Sequence, residues 1–227
     1  MKLWAIVVVI IIAVAAAAVG GLYYYTQSLK EDSYMSEYNF EVSFDTTEVQ
    51  EDLIVYTPLP TKDGSPFVSE SEFLEDSDIP EGWDCKYVDT EYGGMLKIQI
   101  GILEVDQYDD IYLRVVSESS IDTKNALDDE SILTPVHNLV EDEYDDEPYP
   151  ERYEDQMKYY VYDSYVYVEN LTEGSELNVY IHQMGTNGWW VFGWTGNEYR
   201  NRLRTSSLTS DGWHEVETDL IQGWGNY

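Results

Sequence analysis

The densest group of residues able to do chemistry is Gly188-Trp189-Trp190-Val191-Phe192-Gly193-Trp194. As a strand, this run places Trp190, Phe192 and Trp194 on one face and Trp189 and Val191 on the other. If exposed, the three rings would make a platform that stacks on sugar rings, with Asn187, Asn197 and Tyr199 beside them for the hydroxyls. If buried, they would be core. Core is the expected state, because large aromatic side chains dominate packing energetics. Just downstream, Arg200, Arg202 and Arg204 alternate with Asn201 and Leu203, so a strand would align them on one face. Pairing with carboxylates is their expected use in so acidic a chain, and docking of an anionic group or acidic partner is the alternative.

Other groups are less pointed. His137, His182 and His214 show no i, i+4 pair and no HExxH, so each reads as a structural or surface histidine rather than a zinc ligand. Asp106, Asp109 and Asp110 are close enough in sequence to hold calcium. The EF-hand pattern is missing, however, and solvated loop acids are the expected reading. No other cofactor is implied. A glycosidase needs two carboxylates flanking a cleft, and among 45 acids no pair is marked. There is no G-x-S-x-G, no P-loop and no dinucleotide fingerprint. Cys85 is the single cysteine, which excludes an intrachain disulfide and reads as a buried thiol. Asn170-Leu171-Thr172 is an N-glycosylation sequon and fits a location outside the cell.

These residues need a scaffold, and alternation supplies one. Tyr38, Phe40, Val42 and Phe44 interleave with Asn39, Glu41, Ser43 and Asp45, as in a strand with one buried face. Asp52 to Tyr56 reads as a strand closed by Pro58 and Pro60, which cannot donate to a ladder. Trp83 to Asp89 and Met95 to Leu103 form a hairpin around Tyr92-Gly93-Gly94, and Ile111 to Val116 is a further strand. A short helix is placed near Asn125 to Leu127 and a short strand at Pro135 to Val140. Glu141 to Asp155 holds nine acids in fifteen residues and reads as a solvated loop. Strands then follow over Lys158 to Val168, Leu177 to Ile181, Trp189 to Trp194 and Tyr199 to Leu203, with Asn187-Gly188 as a hairpin turn. About nine or ten short strands and no long amphipathic helix predict an all-β domain, a single antiparallel β-sandwich or jelly-roll.

One stretch differs in kind. Leu3 to Tyr25 carries no charge in 23 residues, and as a helix it would span roughly 34 Å, enough to cross a bilayer. Trp4 and Tyr23 to Tyr25 mark its two ends as interfacial aromatics do. Lys2 and the α-amino group precede it and Lys30, Glu31 and Asp32 follow, which by the positive-inside rule places the N-terminus in the cytoplasm and the bulk outside. A cleaved signal peptide ending near Ala16-Ala17-Ala18 is the rival, but the apolar run continues past any such site. The expected organisation is an anchor over 1–27, a linker over 28–36 and an ectodomain over 37–227.

The formal charge of the chain is −33, from 45 acids against 12 Lys and Arg. Its 21 tyrosines and seven tryptophans separate it from a disordered acidic chain. The acids therefore coat a folded surface, as expected for high-salt adaptation, and the field disfavours nucleic acid. The patterns Tyr56-Thr57-Pro58-Leu59-Pro60, Asp89-Thr90-Glu91-Tyr92-Gly93-Gly94-Met95-Leu96 and the stretch from Asn187 to Arg200, together with the anchor and the acidic ectodomain, give a resemblance. The chain resembles membrane-anchored acidic surface proteins of salt-adapted archaea, a group with no assigned activity. That resemblance implies location and setting, not chemistry. The expectation is a non-enzymatic envelope protein with a structural or interaction role and an envelope protein or glycan as partner. A carbohydrate-binding module is the first alternative and a glycan-processing enzyme the second.

Overall fold

A computed structural model describes residues 3–105, 109–143 and 156–227. Helix α1 (Leu3–Ser33) is followed after one residue by β1 (Met35–Thr46) and β2 (Gln50–Lys62). Then come β3 (Ser65–Pro66), α2 (Glu70–Asp76), β4 (Trp83–Thr90), β5 (Gly93–Leu103) and β6 (Asp110–Ser117). The chain continues through α3 (Ala126–Asp129), β7 (Ile132–Thr134), β8 (His137–Asp142), β9 (Lys158–Glu169), β10 (Leu177–Trp190), β11 (Trp194–Arg204) and β12 (Gly212–Gly225). The described strands form one curled antiparallel sheet in the order β4-β5-β2-β9-β12-β11-β10-β1-β6, with β3 and β7 on β2 and β8 on β9. The all-β class and the antiparallel topology match the alternation of the sequence.

Curling brings the two ends of the strand order together. Asp78, between α2 and β4, exchanges both backbone hydrogen bonds with Tyr112 of β6. Buried Phe73 of α2 lies edge-on to Phe40 of β1 at 6.3 Å and tilted to Tyr87 of β4 at 5.6 Å. The larger core cluster forms inside the curl from Phe40, Val42 and Phe44 of β1, Leu53 and Val55 of β2, Ile98 and Ile100 of β5 and Val166 and Val168 of β9. A second cluster closes the segment Ile121–Ile132 over Tyr162, Tyr199 and Leu220. In β9 the buried face is Tyr160, Tyr162, Ser164, Val166 and Val168, so Tyr165 and Tyr167 point outward.

Three expectations are corrected. The polar stretch 28–36 is not a linker: α1 runs to Ser33 and β1 starts at Met35, leaving Tyr34 between them. Pro58 and Pro60 do not end their strand. β2 runs through both, because there it leaves β5 and β9 and takes up β7, with Leu59 opposite Thr134. Asn187-Gly188 is not a turn. Both lie within β10, opposite Asn197 and Gly196, and the chain reverses at Val191–Gly193. The acidic stretch Glu141–Asp155 begins in β8, and from residue 144 on it lies outside the described residues.

Candidate functional site

The β10–β11 hairpin carries the aromatic run, and its geometry sorts the candidates. Trp190 pairs with Trp194, and the turn between them holds Phe192 at a φ of 57°. Trp190, Phe192 and Trp194 are 36%, 66% and 69% exposed, so the expectation of core is corrected. The run is a turn rather than one continuous strand, and a turn at the tip of a sheet has no second layer to bury it. Nor is it a flat platform, since the Trp190 and Phe192 rings stand at 61°. Asn197 and Tyr199 are 8% and 0% exposed and cannot touch a ligand on that surface. Period two sends Trp194 and the arginines outward and Asn197, Tyr199, Asn201 and Leu203 inward.

The inward residues do a different job. Asn187 accepts from Ser36 Oγ and Ile121 N and donates to Ile121 O and Asn197 Oδ1, at 2.7 to 3.0 Å. Asn197 Oδ1 accepts from Thr123 as well, and its amide donates to Asn226 O. Tyr199 donates to Ser131 O at 2.8 Å and accepts from Gln183 at 3.1 Å. Burial drives its phenol well above the usual tyrosine range. Its ring covers Gly185, where a Cβ would meet Tyr199 Cε1 at 2.2 Å.

The tip rests on α1. Ser33 Oγ accepts from Trp190 N at 2.8 Å, Lys30 Nζ lies 3.9 Å from the Trp189 ring centroid, and Tyr34 stacks on Trp189 at 6.1 Å. Further down the helix, Tyr25 lies 6.5 Å from Phe192. Lys30 and Lys124 also line a hollow of about 410 Å³ with Tyr34, Asp122, Trp189 and Tyr227. By contrast, the most apolar stretch of α1, within the span Ile6–Ser33 that is long and apolar enough to cross a membrane, is unburied.

The arginines do share an outward face. Arg202 makes two bonds to the Asp219 carboxylate, at 2.9 and 3.1 Å, and Arg200 pairs with Glu198. Exposed Arg204 lies over the Tyr180 ring at 5.4 Å. Register lines up Glu41, His182, Arg202 and Asp219 across four strands. They border a cleft of about 530 Å³ with Arg204 and Glu217. With His182 neutral, those side chains sum to minus one, which does not favour an anionic ligand. Burial holds the His182 imidazole below the usual histidine range, helped by Arg200 and Arg202 and opposed by Glu41 and Glu198.

The remaining candidates stay apart. His137 meets Tyr165 edge-on at 5.5 Å, and His214 bonds the Ser210 carbonyl. Among the described residues no three His, Cys, Asp or Glu side chains could hold a metal. Asp106 lies outside those residues. Asp110 sits opposite Ser43, its carboxyl raised by burial and then by Glu41. Cys85 is buried, and burial, with Asp84, pushes its thiol up to about 12. Asn170 is exposed, and its Nδ2 donates to Asp52 O at 3.0 Å.

An aromatic group that the sequence reading did not single out occupies the far end of the sheet. Tyr56, Tyr92, Tyr165, Tyr167 and Trp213 are half-exposed and linked by ring contacts of 3.9 to 6.1 Å. The outward parity of Tyr165 and Tyr167 was visible, but their meeting with Tyr56 and Tyr92 depends on pairing across the sheet. Comparison of the chain with family models, with curated proteins and with solved structures finds no match.

Proposed function

We propose that this chain is a single-pass membrane protein that holds an extracytoplasmic β-domain at the cell envelope, in a structural or interaction role. The observation that supports it most is α1. Its most apolar stretch is unburied while its C-terminal end, from Tyr25 on, braces the sheet, as expected of a helix whose remaining partner is lipid. Lys2 on one side and the acidic domain on the other favour a cytoplasmic N-terminus. The charge of −33 favours a salt-rich setting, in keeping with the archaeal surface proteins that the chain resembles. Protease added to intact cells tests the reading. It should release a soluble fragment that begins after Tyr25, whereas protection until lysis would reverse the orientation. A mature N-terminus near Val19 would remove the anchor.

A second reading, binding of saccharide, draws on the far aromatic face rather than on the hairpin. Its rings are ringed by hydroxyls and by the carboxylates of Asp211 and Glu215, the polar company that sugar hydroxyls use. Titration with a panel of neutral oligosaccharides, repeated on Trp213→Ala, decides it. Binding that is lost in the variant would support this reading, and no binding by the wild type would end it.

A further inference from the structure

We infer that the base of the domain is itself a lipid-facing surface, in which the β10–β11 tip seats Phe192 and Trp194 in the interfacial layer of the membrane that α1 crosses. The inference rests on the anchor reading above and adds a second point of attachment.

Depth is the first argument. The hairpin follows α1 from Ser33, which holds Trp190, down to Tyr25, which faces Phe192. Eight residues of helix, about 12 Å, separate Ser33 from Tyr25; the backbone from Trp190 to Phe192 covers at most about 7 Å of it, and the facing side chains reach across the rest. The apolar run ends at Tyr25, so Phe192 lies level with the aromatic belt of the helix. Composition is the second argument. One residue in five is acidic in this chain, yet Leu177 to Asn197 holds no charged residue if histidine is counted neutral, and its tip is Trp-Trp-Val-Phe-Gly-Trp. Exposed large apolar groups gathered at one point mark an interaction site.

Conformation is the third argument. Phe192 holds a positive φ, a region that suits Gly or Asn and not a bulky side chain. Among the described residues its ring meets Tyr25 at a tilt, 6.5 Å away, and Trp190 edge-on at 6.2 Å. A ring kept where the backbone disfavours it, and left two-thirds exposed, is accounted for by a partner outside the protein. Charge is the fourth. Lys30 and Lys124, two of seven lysines, converge on the hollow beside the tip. Lys30 is five residues beyond Tyr25, about 7.5 Å. Headgroups occupy roughly 5–7.5 Å beyond each side of the hydrocarbon, so Lys30 stands at phosphate level, with Lys124 and Asp122 lining the same hollow.

The test uses the full chain in vesicles of phosphatidylcholine and phosphatidylglycerol. Phe192→Cys carries a nitrobenzoxadiazole label, with Val49→Cys, at the opposite end of the sheet, as the aqueous reference. Cys85 stays unlabelled because it is buried, and burial pushes its thiol up to about 12. Trp194→Cys repeats the measurement in case the first variant misfolds. The label at 192 or 194 should be quenched by nitroxide-bearing lipid and bleached by dithionite several-fold more slowly than the label at 49. Bleaching at the same rate as the reference, with the chain still floating with the vesicles, would overturn the inference and leave the anchor standing. In that case, protection by added oligosaccharide would reassign the tip to sugar. Failure to float would overturn the anchor and, with it, the inference.

Discussion

Asn187→Ala is the perturbation that best tests how the hairpin is held. The Asn187 side chain is buried and makes four hydrogen bonds, two of them to the backbone N–H and C=O of Ile121. Each bond contributes about 1 kcal/mol net, so their removal costs about 4 kcal/mol, and more if Ile121 finds no water. For a protein of this size that is a fall in Tm of about 8–16 °C. Ser36→Ala removes one of the four and should cost about 1 kcal/mol. Urea unfolding of the full chain in detergent micelles gives both values, with the midpoint moving and the slope fixed. Asn197→Ala completes a double-mutant cycle. The two single costs should sum to more than the double, since one bond is shared. A loss for Asn187→Ala no larger than that of Ser36→Ala would refute the reasoning, because Asn187 would then be a surface residue at a strand end.

Three further outcomes are expected. Gly185→Ala should destabilise by about 1–3 kcal/mol in the same urea assay, because the fully buried Tyr199 ring that occupies the space cannot swing away. In thermal melts, Tm should rise steeply between 0.01 M and molar monovalent salt as the screening length falls from about 30 to 3 Å; a flat Tm would end the high-salt reading, and rescue by sub-millimolar calcium would point to a defined site. His182 is neutral in the fold and binds a proton more readily when unfolded, so it withdraws stability as pH drops below its unfolded value of about 6.5. Wild type should therefore lose more stability than His182→Gln between pH 7 and 5, and equal losses would show that His182 is solvated.

How far the sequence could be read depends on the range of the interactions involved. The apolar helix and the alternating strands are local patterns. The β1 face of Phe40, Val42 and Phe44 is buried as its period required. Asn187-Gly188 misleads because its turn propensity is also local, whereas the partners that hold Asn187 in a strand, Ser36 and Ile121, lie 151 and 66 residues away. Similarly, Pro58 and Pro60 look like a strand end until β7 is known to replace β5 there. The aromatic run was visible as a candidate, but not its exposure. That depends on the turn falling at Phe192 and on α1 standing beside it. Parity was enough to separate Asn197 and Tyr199 from Trp194, once the strand was known to begin at Trp194.

The direct passage from α1 into β1 also fixes how the domain carries load. β1 is interior to the sheet, paired with β10 from Met35 to Thr46 and with β6 from Ser36 to Ser43. In the anchor reading proposed above, tension between the far end of the sheet and the bilayer runs along β1 itself. Its ladder bonds stand across the strand, so the pull shears them together rather than opening them one after another. Yielding then requires both ladders to fail at once, and with one residue between helix and strand there is no slack to extend first.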